Sequence, residues 1–364
     1  MKRKRSLLEK ADAWYNAQAS RPIMAALRHG LTYMLPFLMA GSLVYILRAL
    51  PIPAYQDFLA SSAGRALGSF LDLVYNGSMG LFSVALILCV STAYAADTFS
   101  IESNASPIVA GVTSLGCFFV LTGLNAGTLP ALGLRGLYPA VFTAMVSPVL
   151  FRYLASVRGL RLRSLARSGN PIFNTAITLS PPAVLTLAFF CALKLLVTRV
   201  LGVPGLQAGA SAGLARLLGS VDSPVWKSLL YVFFSQLLWF FGINGSAVLE
   251  DAAVALFGPG ASSAVLSRSF FDAFVLIGGG ALLCLILDLL LTRRKSRVAK
   301  LAFLPALFNS NELAFFGLPV LLNPLYSIPF IGVPLLLTLT TWGAVSLGLI
   351  PRELQPVDPA VPVV

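Results

Sequence analysis

Apolar runs of roughly membrane-spanning length, separated by short basic loops, set the pattern of this chain. Residues 31–50 form the first run, about 20 residues, enough to cross a hydrocarbon core. Pro36 and Gly41-Ser42 interrupt it, Pro51 and Pro53 end it, and a more polar segment continues to Gly77. Runs at 80–96, 108–121 and 137–154 follow, and 172–200 is a longer run interrupted by Pro181-Pro182. Beyond a Gly-, Ala- and Ser-rich stretch at 202–223 come runs at 225–243, 270–291 and 331–350. Before them all, residues 1–28 begin MKRKR and repeat apolar positions at loosely helical spacing, which predicts an amphipathic helix on the membrane surface. The basic start has no apolar core directly behind it, so a cleaved signal peptide is not expected.

The basic residues place the runs. Arg152, Arg158, Arg161, Arg163 and Arg167 form one cluster, and Arg293-Arg294-Lys295 with Arg297 and Lys300 form another. Both belong on the cytoplasmic side, as does the N-terminus. Counting crossings between the two clusters leaves one missing, so residues 244–269 must dip into or cross the membrane although they are a poor span. The expected fold is an all-α polytopic membrane protein with roughly 8–10 spans of about 20 residues each, together with re-entrant hairpins.

The most informative stretch is 308–330, FNSNELAFFGLPVLLNPLYSIPF. Asn309, Ser310, Asn311 and Glu312 form one polar cluster and Asn323-Pro324 a second, with Gly317, Pro319 and Pro329 breaking the apolar runs around them. Broken backbone at membrane depth is tolerated only where it is buried in protein or lines a wet cavity. A carboxylate there costs about 3 kcal/mol on insertion scales and is usually functional. Two readings stand: a polar ligand site on an interrupted hairpin, or a cytoplasmic loop with Glu312 in water.

Composition agrees with the class. The chain of 364 residues is 57% hydrophobic and 11% charged, where a soluble domain carries about 25% charged residues. The mean hydropathy is +0.84. The net charge of +12 sits mostly at the ends of apolar runs and meets lipid; no nucleic-acid partner follows from it. Cys89, Cys117, Cys191 and Cys284 lie far apart inside apolar runs and read as small hydrophobes. His29 is the one histidine, which excludes a histidine-rich metal site and fits an interfacial position better than a catalytic one. Neither GxxxxGK[ST] nor GxGxxG occurs, and no cofactor or metal is expected. Amides and a hydroxyl around Glu312 suit neighbouring hydroxyls of an uncharged sugar, and Phe315, Phe316, Trp239 or Phe240 offer faces for pyranose C–H groups.

These residues carry a resemblance. Asn311-Glu312, Phe316-Gly317-Leu318-Pro319, Leu322-Asn323-Pro324 and Ile328-Pro329-Phe330 resemble the signature FNxNEPxxFGLPxxLNPxxxIPF of enzyme IIC, the membrane component of the bacterial phosphoenolpyruvate sugar phosphotransferase system. The lactose/cellobiose/diacetylchitobiose branch is the most similar. WFFGINGS at 239–246 is similar to that branch's WFFGIHGS. Phe271-Asp272-Ala273-Phe274 with Gly278-Gly279 fits as well, as does Arg28-His29-Gly30 with Met34, Pro36, Gly41 and Ser42.

The resemblance implies a dimeric permease of the bacterial cytoplasmic membrane. It takes a sugar from outside, here a β-linked disaccharide, and carries it inward by an elevator-like movement. The sugar 6-hydroxyl is presented to a phosphocysteine on a cytoplasmic IIB protein that IIA recharges. IIC itself is not phosphorylated, so no catalytic residue is assigned. Substrate-binding positions carried over by motif are Glu312, Asn311, Asn244, Gly245, Asn309 and Phe316. The implied division is a cytoplasmic segment at 1–28, a scaffold and dimerisation half at 29–200, a linker at 201–224, a sugar half with re-entrant segments at 225–350 and a tail at 351–364.

Departures from the pattern open a second function. Asn244 stands where the family has histidine; an amide hydrogen-bonds a hydroxyl but is no general base near neutral pH. Leu313 replaces the proline of NEP, which predicts a looser hairpin. The chain ends soon after Arg352, in VDPAVPVV, where the family continues with a tryptophan-containing segment and a final helix; a fragment or a loss is expected. The alternative to the permease is therefore a IIC-like sugar-binding sensor or regulatory domain without phosphotransfer.

Overall fold

A computed structural model of the chain describes residues 21–99, 106–123, 126–160, 170–203, 205–258, 266–267, 270–276, 282–292, 296–308, 310–318 and 323–350. The surface helix expected at the N-terminus falls outside them up to residue 20, as do the tail from 351, the glycines at 278–280 and Asn309. Among the described residues every regular element is helical. In chain order they are α1 (Pro22–Tyr33), α2 (Leu35–Arg48), α3 (Pro53–Ala60), α4 (Arg65–Ser78), α5 (Phe82–Thr98), α6 (Pro107–Thr122), α7 (Leu137–Ser156) and α8 (Pro171–Leu201). Then come α9 (Leu206–Gly219), α10 (Pro224–Phe240), α11 (Gly245–Val248), α12 (Glu250–Phe257), α13 (Leu283–Thr292), α14 (Arg297–Leu307), α15 (Glu312–Gly317) and α16 (Pro324–Ser346).

Proline opens α1, α3, α6, α8, α10 and α16. Its missing N–H has no intrahelical partner at that position, and its fixed φ suits a helix. At the other end of α8, Gly202 takes φ 64°, the left-handed cap in which glycine escapes the Cβ penalty.

Among the described residues four helical stretches are long and apolar enough to cross a membrane: Arg65–Thr98, Leu134–Ser156, Pro171–Val200 and Tyr326–Ser346. Pro107–Thr122 and Leu283–Thr292 are shorter apolar helices. The protein is an all-α polytopic membrane protein, as the apolar runs predict.

Three local expectations need correction. Pro181-Pro182 does not interrupt α8. The Ile177 carbonyl, which the Pro181 nitrogen leaves without a donor, accepts the Ser180 hydroxyl at 2.9 Å instead, a repair open to prolines within membrane helices. The Gly-, Ala- and Ser-rich stretch at 202–223 contains a helix, α9, because alanine and leucine outweigh its glycines. The last run does not begin at 331: α16 starts at Pro324, with Pro329 and Pro334 inside it.

The chain forms two compact units. One holds Leu81–Gly209 and the described residues before Leu35. In it α5 packs on α1, α6 and α7, and α6 on α8. Ala95, Ala110, Phe151, Ala155 and Leu179 close its core. The Ser114 and Ser147 hydroxyls meet there at 3.1 Å, beside the buried Cys117. The other unit joins Leu35–Gly80 to the chain from Ala210 onward. There α2 packs on α4 and α15, α14 on α13 and α15, and α10 on α16. Cys191 and Cys284 are exposed on apolar helices, as small hydrophobes facing lipid would be.

Candidate functional site

The site lies in the second unit and starts from the break between α14 and α15. Pro305 and the polar run after it end α14, and the backbone turns so that Ser310 N–H donates to the Pro305 carbonyl at 3.0 Å. Asn311 is the residue before α15 and Glu312 its first residue, so the carboxylate sits at the positive end of a helix, short as this one is. Leu313 is buried in the first turn of α15. That position tolerates proline and leucine alike, since its N–H has no partner within the helix, so replacing the family proline leaves the turn intact.

Glu312 is 9% exposed and Asn311 2%. The Ser310 hydroxyl donates to Glu312 Oε2 at 3.0 Å and lies 3.3 Å from the hydroxyl of Ser42 on α2. Ser42 in turn donates to the Leu38 carbonyl at 2.6 Å. Among the described residues no basic side chain forms an ion pair with Glu312. A buried carboxylate with one hydroxyl donor and no ion pair among the described side chains is suited to receive hydrogen bonds from a neutral polar ligand.

The reading that leaves Glu312 in water on a loop does not survive this burial. The pairing of Ser42 with Ser310 is the contribution that sequence reasoning overlooks. Ser42 reads as a helix-interrupting small residue, and its partner lies 268 positions away. Replacing Ser310 by alanine leaves Glu312 Oε2 without its donor and is expected to cost about 1–3 kcal/mol of stability. Ser42→Ala should cost less, and nothing further in the Ser310→Ala background; thermal unfolding of the two single variants and the double variant measures this coupling.

The second part of the site follows α10. Gly242 adopts φ 81° just past the helix, and α11 begins at Gly245. Gly245 lies so close to Ser235 of α10 that an added Cβ would overlap the Ser235 carbonyl group itself. This contact holds Asn244, half-buried, against the end of α10. Trp239, 1% exposed, meets Phe315 edge to face with ring centroids 5.3 Å apart. Phe315 also contacts Phe316 at 5.4 Å and Phe330 at 5.6 Å. Two of the aromatic faces expected to stack on a ligand thus stack on each other here. Glu312 and Phe316 share one short helix with Asn311 just before it, and Asn244 and Gly245 join them through Ser235, Trp239 and Phe315. Asn309 lies outside the described residues.

In an all-α membrane protein, a buried carboxylate at a helix break with no ion pair among the described residues is suited to hold a polar solute. The sequence profile described as "Phosphotransferase system, EIIC" matches residues 28–334. The chain belongs to that family. It is 29% identical to the permease IIC component YwbA of Bacillus subtilis (strain 168), over 93% of this chain and 81% of that protein. It is 27% identical to the cellobiose-specific EIIC component of Geobacillus stearothermophilus, over 90% of this chain and 79% of that protein. The crystal structure of the transporter ChbC, the IIC component of the N,N'-diacetylchitobiose-specific phosphotransferase system, is similar in fold with a TM-score of 0.50 at 22% identity, covering 98% of this chain and 89% of that one.

Proposed function

We propose that this chain is the membrane permease subunit that binds a β-linked disaccharide and delivers it for phosphorylation by a cytoplasmic IIB partner. The observation that carries the reading is the Glu312 carboxylate, buried on the motif that defines the family resemblance and satisfied by the Ser310 hydroxyl alone among the described side chains. Kinship with a cellobiose-specific component supports the substrate class. In this reading Glu312 and Asn311 bind sugar hydroxyls, Asn244 takes the place of the family histidine, and Gly245 sets its position; Asn309 and Phe316 complete the contacts. Phosphoryl transfer breaks the S–P bond on IIB and forms an O–P bond at the sugar 6-hydroxyl, whose proton passes to the departing cysteine thiolate or to water. Asn244 orients that hydroxyl but does not take its proton, which slows the step without weakening binding. The protein acts as a homodimer in the bacterial cytoplasmic membrane, N-terminus inside, with IIA recharging IIB.

Uptake of cellobiose into vesicles carrying the protein, with and without phosphorylated IIB, tests the proposal. Phosphorylated cellobiose inside the vesicles, dependent on IIB, is the expected result. Saturable binding without phosphorylation across several IIB partners transfers the assignment to a sugar sensor, the reading that Asn244 favours. Asn244→His should raise the phosphorylation rate by about tenfold or more, within the range of general-base contributions, and leave cellobiose affinity within a few-fold of wild type. Equal changes in both would remove the role given to Asn244.

A further inference from the structure

Hydroxyls on the other helices mostly fold back onto the preceding turn: Ser42 onto Leu38, Thr113 onto Val109, Thr143 onto Pro139. The inward face of α10 does not follow this habit. Ser228, Ser235 and Gln236 are each 0% exposed. The Ser228 and Ser235 hydroxyls, the Trp239 indole N–H and both amide atoms of Gln236 have no hydrogen-bond partner among the described residues. Buried polar atoms are almost always paired, and each exception calls for a reason. Gln236 is the most demanding of these side chains, because it lacks both a donor and an acceptor.

Its position supplies the reason. Gln236 lies one turn before Trp239, and Glu312 lies one turn before Phe315, so both flank the Trp239–Phe315 contact. The neighbouring Ser235 carbonyl is the surface on which Gly245 rests. Gln236 is therefore one helical turn from the Trp239–Phe315 contact that joins the two motifs of the candidate site, and nothing among the described residues pairs with it. We propose that Gln236 is a further sugar-binding residue: its amide N–H donates to one hydroxyl of the bound disaccharide and its amide oxygen accepts from another. The inference rests on the reading of this site as a sugar site. Gln236 and Glu312 are both buried here, so a sugar reaches them only when the site opens. An amide that both donates and accepts matches a pair of adjacent hydroxyls, and it discriminates against an analogue lacking either one, because a group is then left unpaired.

The test is Gln236→Met in the full chain, which keeps the unbranched shape and removes both polar groups. Two readouts move in opposite directions. Without sugar, the variant should melt higher by roughly 2 °C or more, since an unpaired buried amide is lost. Its affinity for cellobiose should fall by about tenfold or more, the loss expected when two hydrogen bonds to a ligand disappear.

A panel of monodeoxy-cellobioses identifies the hydroxyls. Wild type should bind at least one of them about tenfold more weakly than cellobiose, and Gln236→Met should bind that analogue and cellobiose alike. A variant that melts lower or fails to fold overturns the proposal, because the amide would then be paired in the sugar-free protein. Unchanged cellobiose affinity, or undiminished discrimination among the deoxy sugars, also overturns it while leaving the sugar site in place. If wild type binds no β-disaccharide at all, the sugar site itself falls and the role of Gln236 falls with it.

Discussion

Glu312→Gln lowers the affinity for a bound disaccharide by about 10- to 100-fold, the range for hydrogen bonds to a charged group, and leaves the sugar-free protein at least as stable as wild type. The two halves of this result have one cause. Glu312 is buried without an ion-pair partner among the described residues, so its charge is a burden on the empty protein that a ligand relieves. The amide oxygen of glutamine still accepts from Ser310, so the break between α14 and α15 is kept while the strong acceptor is removed. Cellobiose binding isotherms and thermal unfolding in detergent measure both effects. Unchanged affinity would take Glu312 out of the site, and a large loss of stability would make it a structural residue.

Gly245→Ala carries the opposite signature. The Cβ would overlap the carbonyl group of Ser235, which is helix backbone and cannot rotate aside as a side chain would. α11 must move off α10, and Asn244 moves with it. Overpacking of this kind costs about 1–3 kcal/mol and more where backbone is the obstacle, so the melting temperature should fall by several degrees and cellobiose binding with it. The yield of folded protein in detergent and its binding isotherm decide the matter. A variant that folds and binds as wild type does would mean that the approach of α11 to Ser235 is not needed.

The residues that define the site are legible wherever a polar group stands out against an apolar run. Glu312 and Asn311 do so, and the motifs around Asn244 and Asn323 carry the family with them. Gln236 stands out in the same way, a lone amide in the run 225–243, yet it belongs to no motif and passes as a tolerated polar residue. Ser42 is legible as part of the N-terminal motif, but its contact with Ser310 is not, because that partner is not among its neighbours in sequence. The prolines divide by mechanism. At helix starts they mark boundaries, as at Pro107 and Pro224, whereas at Pro181 the missing donor is replaced from the adjacent serine and the boundary vanishes. Residues 202–223 look like a linker by glycine content, and α9 forms there because its alanines and leucines are sufficient.

The pairing of Leu35–Gly80 with the chain beyond Ala210 has a consequence for biogenesis. Helix α2 is among the first segments to leave the ribosome, and the helix it meets, α15, is among the last. At about 5–20 residues per second, the 268 positions between Ser42 and Ser310 take roughly 13–54 s to synthesise. Through that interval Ser42 lacks the Ser310 hydroxyl, keeping only its bond to the Leu38 carbonyl, and α2 has α4 to pack on but not α15. A chain stalled before α15 is complete would be left in this condition, an incompletely packed membrane intermediate exposed to quality-control proteolysis.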